Sequence, residues 1–203
     1  MKKRFFLGMV TSLVLWLCPI ASYAISLDFV PGTQSVALGT SVTVDVVVSG
    51  LTAATEIVSA FDLDVTYDSS VLSATGVTFG PSLGDPFFFE VFEDFDISTA
   101  GVVDFAALSL LSDGDLAALQ GDSVTLATLS FDTIGVGTSS LGFILDAFND
   151  VKGRNAAVLS LTVGPGSVTV NGPNPIPEPG TMLLLGTGLA GLAAWRLRRQ
   201  QAS

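Results

Sequence analysis

The fold is decided by residues 60–72, which read Ala60-Phe61-Asp62-Leu63-Asp64-Val65-Thr66-Tyr67-Asp68-Ser69-Ser70-Val71-Leu72. Apolar and polar residues alternate over the first half, which is typical of a strand with one buried face. Tyr67 falls on the apolar side and is expected to point inward. Asp68-Ser69-Ser70 favours a turn, and Val71-Leu72 begins a second strand. The stretch therefore predicts a strand, a turn and a second strand.

The same period of two recurs on both sides of this stretch, over residues 42–48 and 127–133. Gly, Asp, Asn and Ser separate the alternating segments, and such residues favour turns. No sustained helical period occurs before residue 180, apart from a short turn expected over Asp115–Gln120. Short strands with frequent turns predict an all-β, antiparallel β-sandwich.

The N-terminus has the three parts of an export signal. Basic residues 2–4 precede an apolar run over 5–20, and the small residues Ser22 and Ala24 follow. This order predicts a signal peptide over residues 1–24, cleaved after Ala24. An uncleaved membrane anchor is the alternative.

The C-terminus consists of three further segments. A proline-rich linker over 172–179 is expected to be stiff and extended. An apolar run over 180–195 predicts one transmembrane helix, with a length of about 24 Å as an α-helix. A basic tail over 196–203 contains Arg196, Arg198 and Arg199, and these arginines predict that the tail stays in the cytoplasm.

The composition excludes several chemistries. The chain has 203 residues, a net charge of -11, no histidine and one cysteine. A Ser-His-Asp triad, a histidine metal site and a disulfide framework are therefore excluded. Removing both ends leaves 18 of the 19 acidic residues with only Lys152 and Arg154, so the remaining domain has a charge of −16. This charge argues against nucleic acid as a partner, because its phosphates would be repelled.

The C-terminal segments resemble a PEP-CTERM sorting signal. The resemblance lies in Pro177-Glu178-Pro179, the Gly/Leu/Ala-rich run after it, and the arginine cluster. It implies processing by an exosortase near Pro177, Glu178 and Pro179. It also implies transient membrane anchoring in a Gram-negative bacterium, followed by release to the cell surface or extracellular matrix. A plain tail anchor is the alternative.

Residues 25–171 resemble a cohesin-like domain. The resemblance rests on Ile25–Phe29, Leu38–Val44, the stretch 60–72, Leu126–Phe131 and Gly166–Val170. It implies a jelly-roll β-sandwich of about nine strands. Cohesins of cellulosomes bind calcium-loaded dockerin modules, so a dockerin-like protein is one expected partner. A polysaccharide ligand is the other.

A phenylalanine-rich segment is the candidate binding surface. Residues 87–95 read Phe-Phe-Phe-Glu-Val-Phe-Glu-Asp-Phe. As a strand, this segment would direct Phe87, Phe89 and Val91 to one face. Phe88 and Phe92 would lie on the other face and contact a partner. A strand covered on both sides is the alternative interpretation.

The carboxylates suggest two further hypotheses. Calcium could bind the oxygen donors that turns contain, which are Asp113, Asp115, Asp146, Asn149 and Asp150. The favoured interpretation is that they only form turns, so no metal and no cofactor is predicted. Glu56, Glu90 and Glu93 are the only glutamates of the domain, and no pair among them stands out for glycoside hydrolysis.

The sequence therefore predicts a non-enzymatic, exported adhesion or binding module. A carbohydrate-binding module linked to polysaccharide metabolism is the alternative. An acidic glycoside hydrolase is a third and weaker hypothesis. Both tryptophans lie in the end segments, which leaves the domain without the rings that sugar platforms commonly use.

Overall fold

The computed structural model describes residues 24–52, 54–145, 149–173 and 180–200. Asp146, the Pro177-Glu178-Pro179 motif and the signal peptide before Ala24 lie outside these ranges. The hypotheses on them stay predictions.

Within these ranges the chain forms twelve strands and two α-helices. The strands are β1 (Ser26–Val30), β2 (Thr33–Ala37), β3 (Ser41–Ser49), β4 (Ala60–Thr66), β5 (Leu72–Phe79), β6 (Val91–Asp96), β7 (Val102–Ser109), β8 (Ser123–Thr133), β9 (Gly137–Ile144), β10 (Asp150–Lys152), β11 (Thr162–Val163) and β12 (Gly166–Asn171). The helices are α1 (Asp113–Leu119) and α2 (Thr181–Gln200). The strand number exceeds the expected nine because the short strands β2, β10 and β11 add to it.

The strands form two sheets that pack as a sandwich. In the described residues, one sheet has the order β11-β1-β3-β8-β5, and the other has the order β2-β12-β9-β4-β7-β6 with β10 added beside β4. Neighbouring strands are antiparallel except for the pairs β1–β11 and β2–β12. The antiparallel β-sandwich predicted from the alternation is confirmed, as is the jelly-roll form that the cohesin resemblance implies.

The core lies between the sheets and follows the predicted alternation. Its buried members include Val42, Val44, Val46 and Val48 of β3, Phe61, Leu63 and Val65 of β4, and Ala127, Leu129 and Phe131 of β8. Tyr67 also points inward, as expected, with its ring 5.2 Å from that of Phe131 in an edge-on arrangement. Its hydroxyl accepts a hydrogen bond from the Ala74 amide at 3.4 Å.

The expected turn near Asp115 is helix α1. Ser112 caps its N-terminus, where the hydroxyl accepts a hydrogen bond from the Asp115 amide at 3.3 Å. Gln120 follows the helix and is only 6 % exposed. Its Oε1 accepts from the Val58 amide at 2.8 Å, and its Nε2 donates to the carbonyls of Val58 and Ser82 at 2.7 and 3.0 Å. The Gln120 amide therefore joins three chain segments, a role that no local pattern in the sequence indicates.

The C-terminal run forms helix α2, which includes Arg196, Arg198 and Arg199. The Arg199 guanidinium lies 4.5 Å from the centre of the Trp195 ring. Among the described residues, no helix has the length and apolarity needed to span a membrane. The helix expected in this region is present, and its predicted crossing of a membrane is not borne out by this finding.

Candidate binding face

The outward side of β4, β7 and β6 presents three rows of side chains. Directly paired residues share one side of a sheet, so the register defines each row. The rows are Ala60, Leu108 and Phe92; Asp62, Ala106 and Asp94; and Asp64, Asp104 and Asp96. We call these nine residues the open face. It is apolar at one end and acidic at the other.

The acidic row brings like charges together. The Ser109 amide donates to the Ser59 carbonyl at 2.9 Å, so residues 59 and 109 form a hydrogen-bonded pair. Hydrogen-bonded and non-hydrogen-bonded pairs alternate along an antiparallel pair of strands. Asp64 and Asp104 are therefore a non-hydrogen-bonded pair, the kind in which the side chains lie closer together. Like charges directly opposite each other destabilise a sheet.

The pKa of Asp104 reflects this crowding. Burial is the largest cause that raises the pKa of Asp104. Four neighbouring carboxylates raise it further, in decreasing order of effect: Asp64, Asp62, Asp96 and Asp94. Asp96 differs, because hydrogen bonds from the backbone amide and the hydroxyl of Ser98 lower its pKa. The row therefore keeps a negative charge that its own residues do not neutralise.

The apolar row lies beside a shallow hollow of 400 Å³. Phe92 and Leu108 line this hollow and are 61 % and 51 % exposed. Lys152 forms an ion pair with Asp150 at its rim. Phe92 and Leu108 occupy directly paired positions in one lining, and a contiguous exposed apolar patch is a feature of protein-binding surfaces.

The phenylalanine segment departs from its predicted form. Residues Pro86–Phe88 form a 3-10 turn, and the Asp85 carboxylate caps it by accepting a hydrogen bond from the Phe87 amide at 2.8 Å. The strand begins only at Val91.

The prediction that Phe87 and Phe89 share the buried face of Val91 is therefore wrong, because Pro86 and the Asp85 cap favour a turn over a strand. Phe87, Phe88 and Phe89 are all exposed, and Val91 is buried. Phe92 lies on the outward side, as expected. Phe88 is exposed in the preceding turn, outside the rows of the open face, and the candidate surface of Phe88 and Phe92 stays a prediction.

The proposed calcium ligands serve turns and caps in the described residues. Asp115 accepts a hydrogen bond from the Ser112 hydroxyl at 2.6 Å, and Asp113 lies 3.9 Å from the Arg154 guanidinium. The Asn149 amide donates to Asp64 at 2.9 Å. Within the described ranges, no group of three or more Asp, Glu, Cys or His side chains is arranged to hold a metal ion.

Of the three glutamates in the glycosidase hypothesis, only Glu90 and Glu93 line a common cleft in the described residues. Glu56 accepts a hydrogen bond from the Thr52 amide at 2.7 Å and so closes a loop. Glu90 accepts from the Asp85 amide at 3.0 Å, which assigns it a part in holding the turn.

Two sequence families match this chain. The profile of the PEP-CTERM protein-sorting motif matches residues 175–199. The profile of the cohesin domain matches residues 27–170, which covers well over half of the chain. No curated protein matches the sequence.

Solved cohesin structures share the fold. The cohesin of a type I cohesin–dockerin complex from Clostridium thermocellum has 15 % identity and a TM-score of 0.59, over 73 % of this chain and all of that chain. A cohesin from Clostridium acetobutylicum has 22 % identity and a TM-score of 0.58, over 74 % of this chain and 92 % of that one. A non-cellulosomal cohesin from the archaeon Archaeoglobus fulgidus has 12 % identity and a TM-score of 0.55, over 73 % and 92 %.

The sandwich, its strand order and the profile match over residues 27–170 agree with one another. The chain belongs to the cohesin family.

Proposed function

We propose that the chain is an exported, non-enzymatic module that binds a protein partner through the open face. The observation on which this proposal rests is the arrangement of the three rows, which place the apolar pair Phe92 and Leu108 on the same face as the acidic row at its other end. The family supports it, since two of the similar solved structures are cohesins in complex with dockerins.

The two ends of the open face would contribute differently to binding. Covering Phe92 and Leu108 removes apolar surface from water, which contributes about 1.5–3 kcal/mol for each large side chain that becomes fully buried. The aspartates favour a partner with lysine or arginine side chains. Such cations would relieve the repulsion between Asp64 and Asp104, and they would also steer the encounter.

The C-terminal residues support a proposal about delivery. The sorting-motif match over 175–199 suggests that an exosortase processes the chain near Pro177, Glu178 and Pro179, and that the domain then reaches the cell surface or matrix. Mass spectrometry of the surface-associated protein should find a form that lacks Arg199. Finding Arg199 on every surface molecule would contradict processing.

Binding of the full-length chain to two arrays tests the class of partner. One array presents calcium-loaded dockerin modules, and the other presents bacterial and plant polysaccharides. We expect saturable binding on the dockerin array. Binding to glycans alone would contradict the protein-partner proposal and would favour the carbohydrate-binding alternative.

A further inference from the structure

A second surface lies at one open side of the sandwich, next to the open face along the edge of β6. The outermost strands β5 and β6 belong to different sheets, and a cleft of 710 Å³ separates them. Val77 and Phe79 of β5 line one wall, and Glu93 and Phe95 of β6 line the other. The turn residues Asp85, Pro86 and Glu90 also line the cleft. We call this the edge cleft.

On the β6 side of the edge cleft, some backbone N–H and C=O groups of the strand face away from β7. The Leu110 amide donates to the Glu90 carbonyl at 2.7 Å, so residues 90 and 110 form a hydrogen-bonded pair. By alternation, Phe92 and Asp94 are the β6 residues whose backbone groups face β7. The backbone N–H and C=O groups of Glu93 and Phe95 therefore point away from the sheet.

The β5 wall has the same geometry. The Gly80 amide donates to the Leu126 carbonyl at 2.9 Å, which places Thr78 in a hydrogen-bonded pair with Thr128. The backbone groups of Val77 and Phe79 then point away from β8. Two strand edges thus flank the cleft, and an extended peptide can add to such an edge by backbone hydrogen bonds.

The charged side chains in the described lining of the cleft are all acidic. Asp85, Glu90 and Glu93 line it, and its described lining includes no lysine or arginine. Burial raises the pKa of Glu93, and the charge of Asp85 raises it further. Asp94 and Asp96 continue the charge on the outward side of the same strand.

This charge selects among possible occupants. A second copy of β6 would bring Glu93, Asp94 and Asp96 against their own counterparts, and acidic edge strands of this kind oppose self-association. A basic strand would instead place lysine or arginine beside Glu93 and Asp94, and an apolar side chain beside Phe95.

We propose that the edge cleft binds an extended, lysine- or arginine-rich peptide segment of another protein, which adds as a strand to β6. The apolar side chains of the segment pack against Phe79 and Phe95, and its cations lie beside Asp85 and Glu93. Gly84 of the lining allows a close approach to Glu90, since it has a φ of +127° and a Cβ there would lie 2.7 Å from the Cβ of Glu90. The edge cleft adjoins the open face along β6, and Glu93 lines both the cleft and the hollow of the open face, but the proposal does not depend on a partner there.

The test uses the full-length chain and the blocked nonapeptide acetyl-(Lys-Val-Lys)3-amide as its probe. One matched peptide replaces lysine with glutamate. Another carries N-methyl groups on its three valines, which keeps every charge but removes amide donors from either strand register. Fluorescence anisotropy gives the dissociation constants, and amide NMR shifts locate the binding site.

We expect the lysine peptide to bind with shifts centred on Glu93 and Phe95, and the N-methylated peptide to bind at least about tenfold more weakly. Glu93→Lys should weaken binding about tenfold, and Glu93→Gln should weaken it less in the same direction. Asp132→Lys makes the same charge change on β8, and its dissociation constant for the lysine peptide should stay within about twofold of the wild-type value.

Several results would overturn the proposal. Equal binding of the methylated peptide would show that no strand is added. Equal losses in Glu93→Lys and Asp132→Lys would show attraction to the total charge alone. Absence of binding would exclude a basic segment as the occupant. NMR shifts at β6 that grow with protein concentration in the absence of peptide would instead indicate a second copy of the chain as the occupant.

Discussion

Asp64 of β4 and Asp104 of β7 lie directly opposite each other, in the closer of the two kinds of antiparallel pair. A sheet gains nothing from two carboxylates in this position, since their repulsion opposes pairing of the strands. Features that break a local rule of stability commonly mark functional sites. We interpret this pair as the acidic end of a surface that a cationic partner neutralises.

Neutralising Asp104 should therefore stabilise the isolated protein. Because the pKa of Asp104 is raised by folding, the folded state binds a proton more readily than the unfolded state, and ionisation at higher pH lowers stability. Asp104→Asn should raise Tm by about 1–3 °C near pH 7, a small shift because water screens this partly exposed group. Calorimetry at several pH values measures it.

The gain should fade as the pH falls toward and below the ordinary aspartate pKa of about 3.9, where the wild-type carboxyl is also neutral. Asp132→Asn is the matched control, since it removes one charge from the other sheet and keeps an acceptor for the Ser41 hydroxyl. A lower Tm for Asp104→Asn near pH 7 would contradict the repulsion that we infer.

The buried amide of Gln120 should matter strongly for stability. Gln120→Ala leaves the amide and carbonyl of Val58 without their partner, and each unsatisfied buried group has a substantial cost. We expect a loss of about 2–4 kcal/mol in the free energy of unfolding, measured by urea titration. Gln34→Ala, which removes one exposed hydrogen bond to the Thr43 carbonyl, should cost less than about 1 kcal/mol. Similar losses in the two variants would be inconsistent with the joining role of Gln120.

The end of β5 should tolerate no side chain at Gly80. A Cβ there would lie 2.0 Å from the Thr125 carbonyl oxygen, so the backbone would have to move. Gly80→Ala should cost about 1–3 kcal/mol in the free energy of unfolding. The same change at Gly76 in β5, whose Cβ would meet no atom within 4 Å, is the control and should cost less. Equal stability of the two variants would show that the close approach is not limiting.

The sandwich could be predicted because alternation is a local signal. Each of Val42, Val44, Val46 and Val48 is buried, as a period of two requires. The short edge strand β11 has only two residues, which is too few for any period to be visible. At Phe87 and Phe89 the hydrophobic pattern misled, because the Asp85 cap and Pro86 outweighed it.

The open face could be predicted only in part. Phe92 was identified as outward-facing, but its contact with Leu108 depends on the register of β6 and β7. The opposition of Asp64 and Asp104 depends on register in the same way. The register of β4 and β7 joins strands that are far apart in sequence, and that of β6 and β7 depends on the geometry of the loop between them, so the sequence alone reveals neither. Gln120 was missed because a lone glutamine after a short helix has no distinctive local pattern.

Calorimetric titration of the full-length chain with calcium-loaded dockerin modules tests the proposed function of the open face most directly. We predict saturable binding that Phe92→Ala weakens at least about tenfold, since this ring is the largest and most exposed side chain of the apolar row. Val136→Ala changes an equally exposed apolar residue between β8 and β9 and should leave the affinity within about twofold. Absence of binding to every dockerin, or equal affinity of the wild type and Phe92→Ala, would contradict the account.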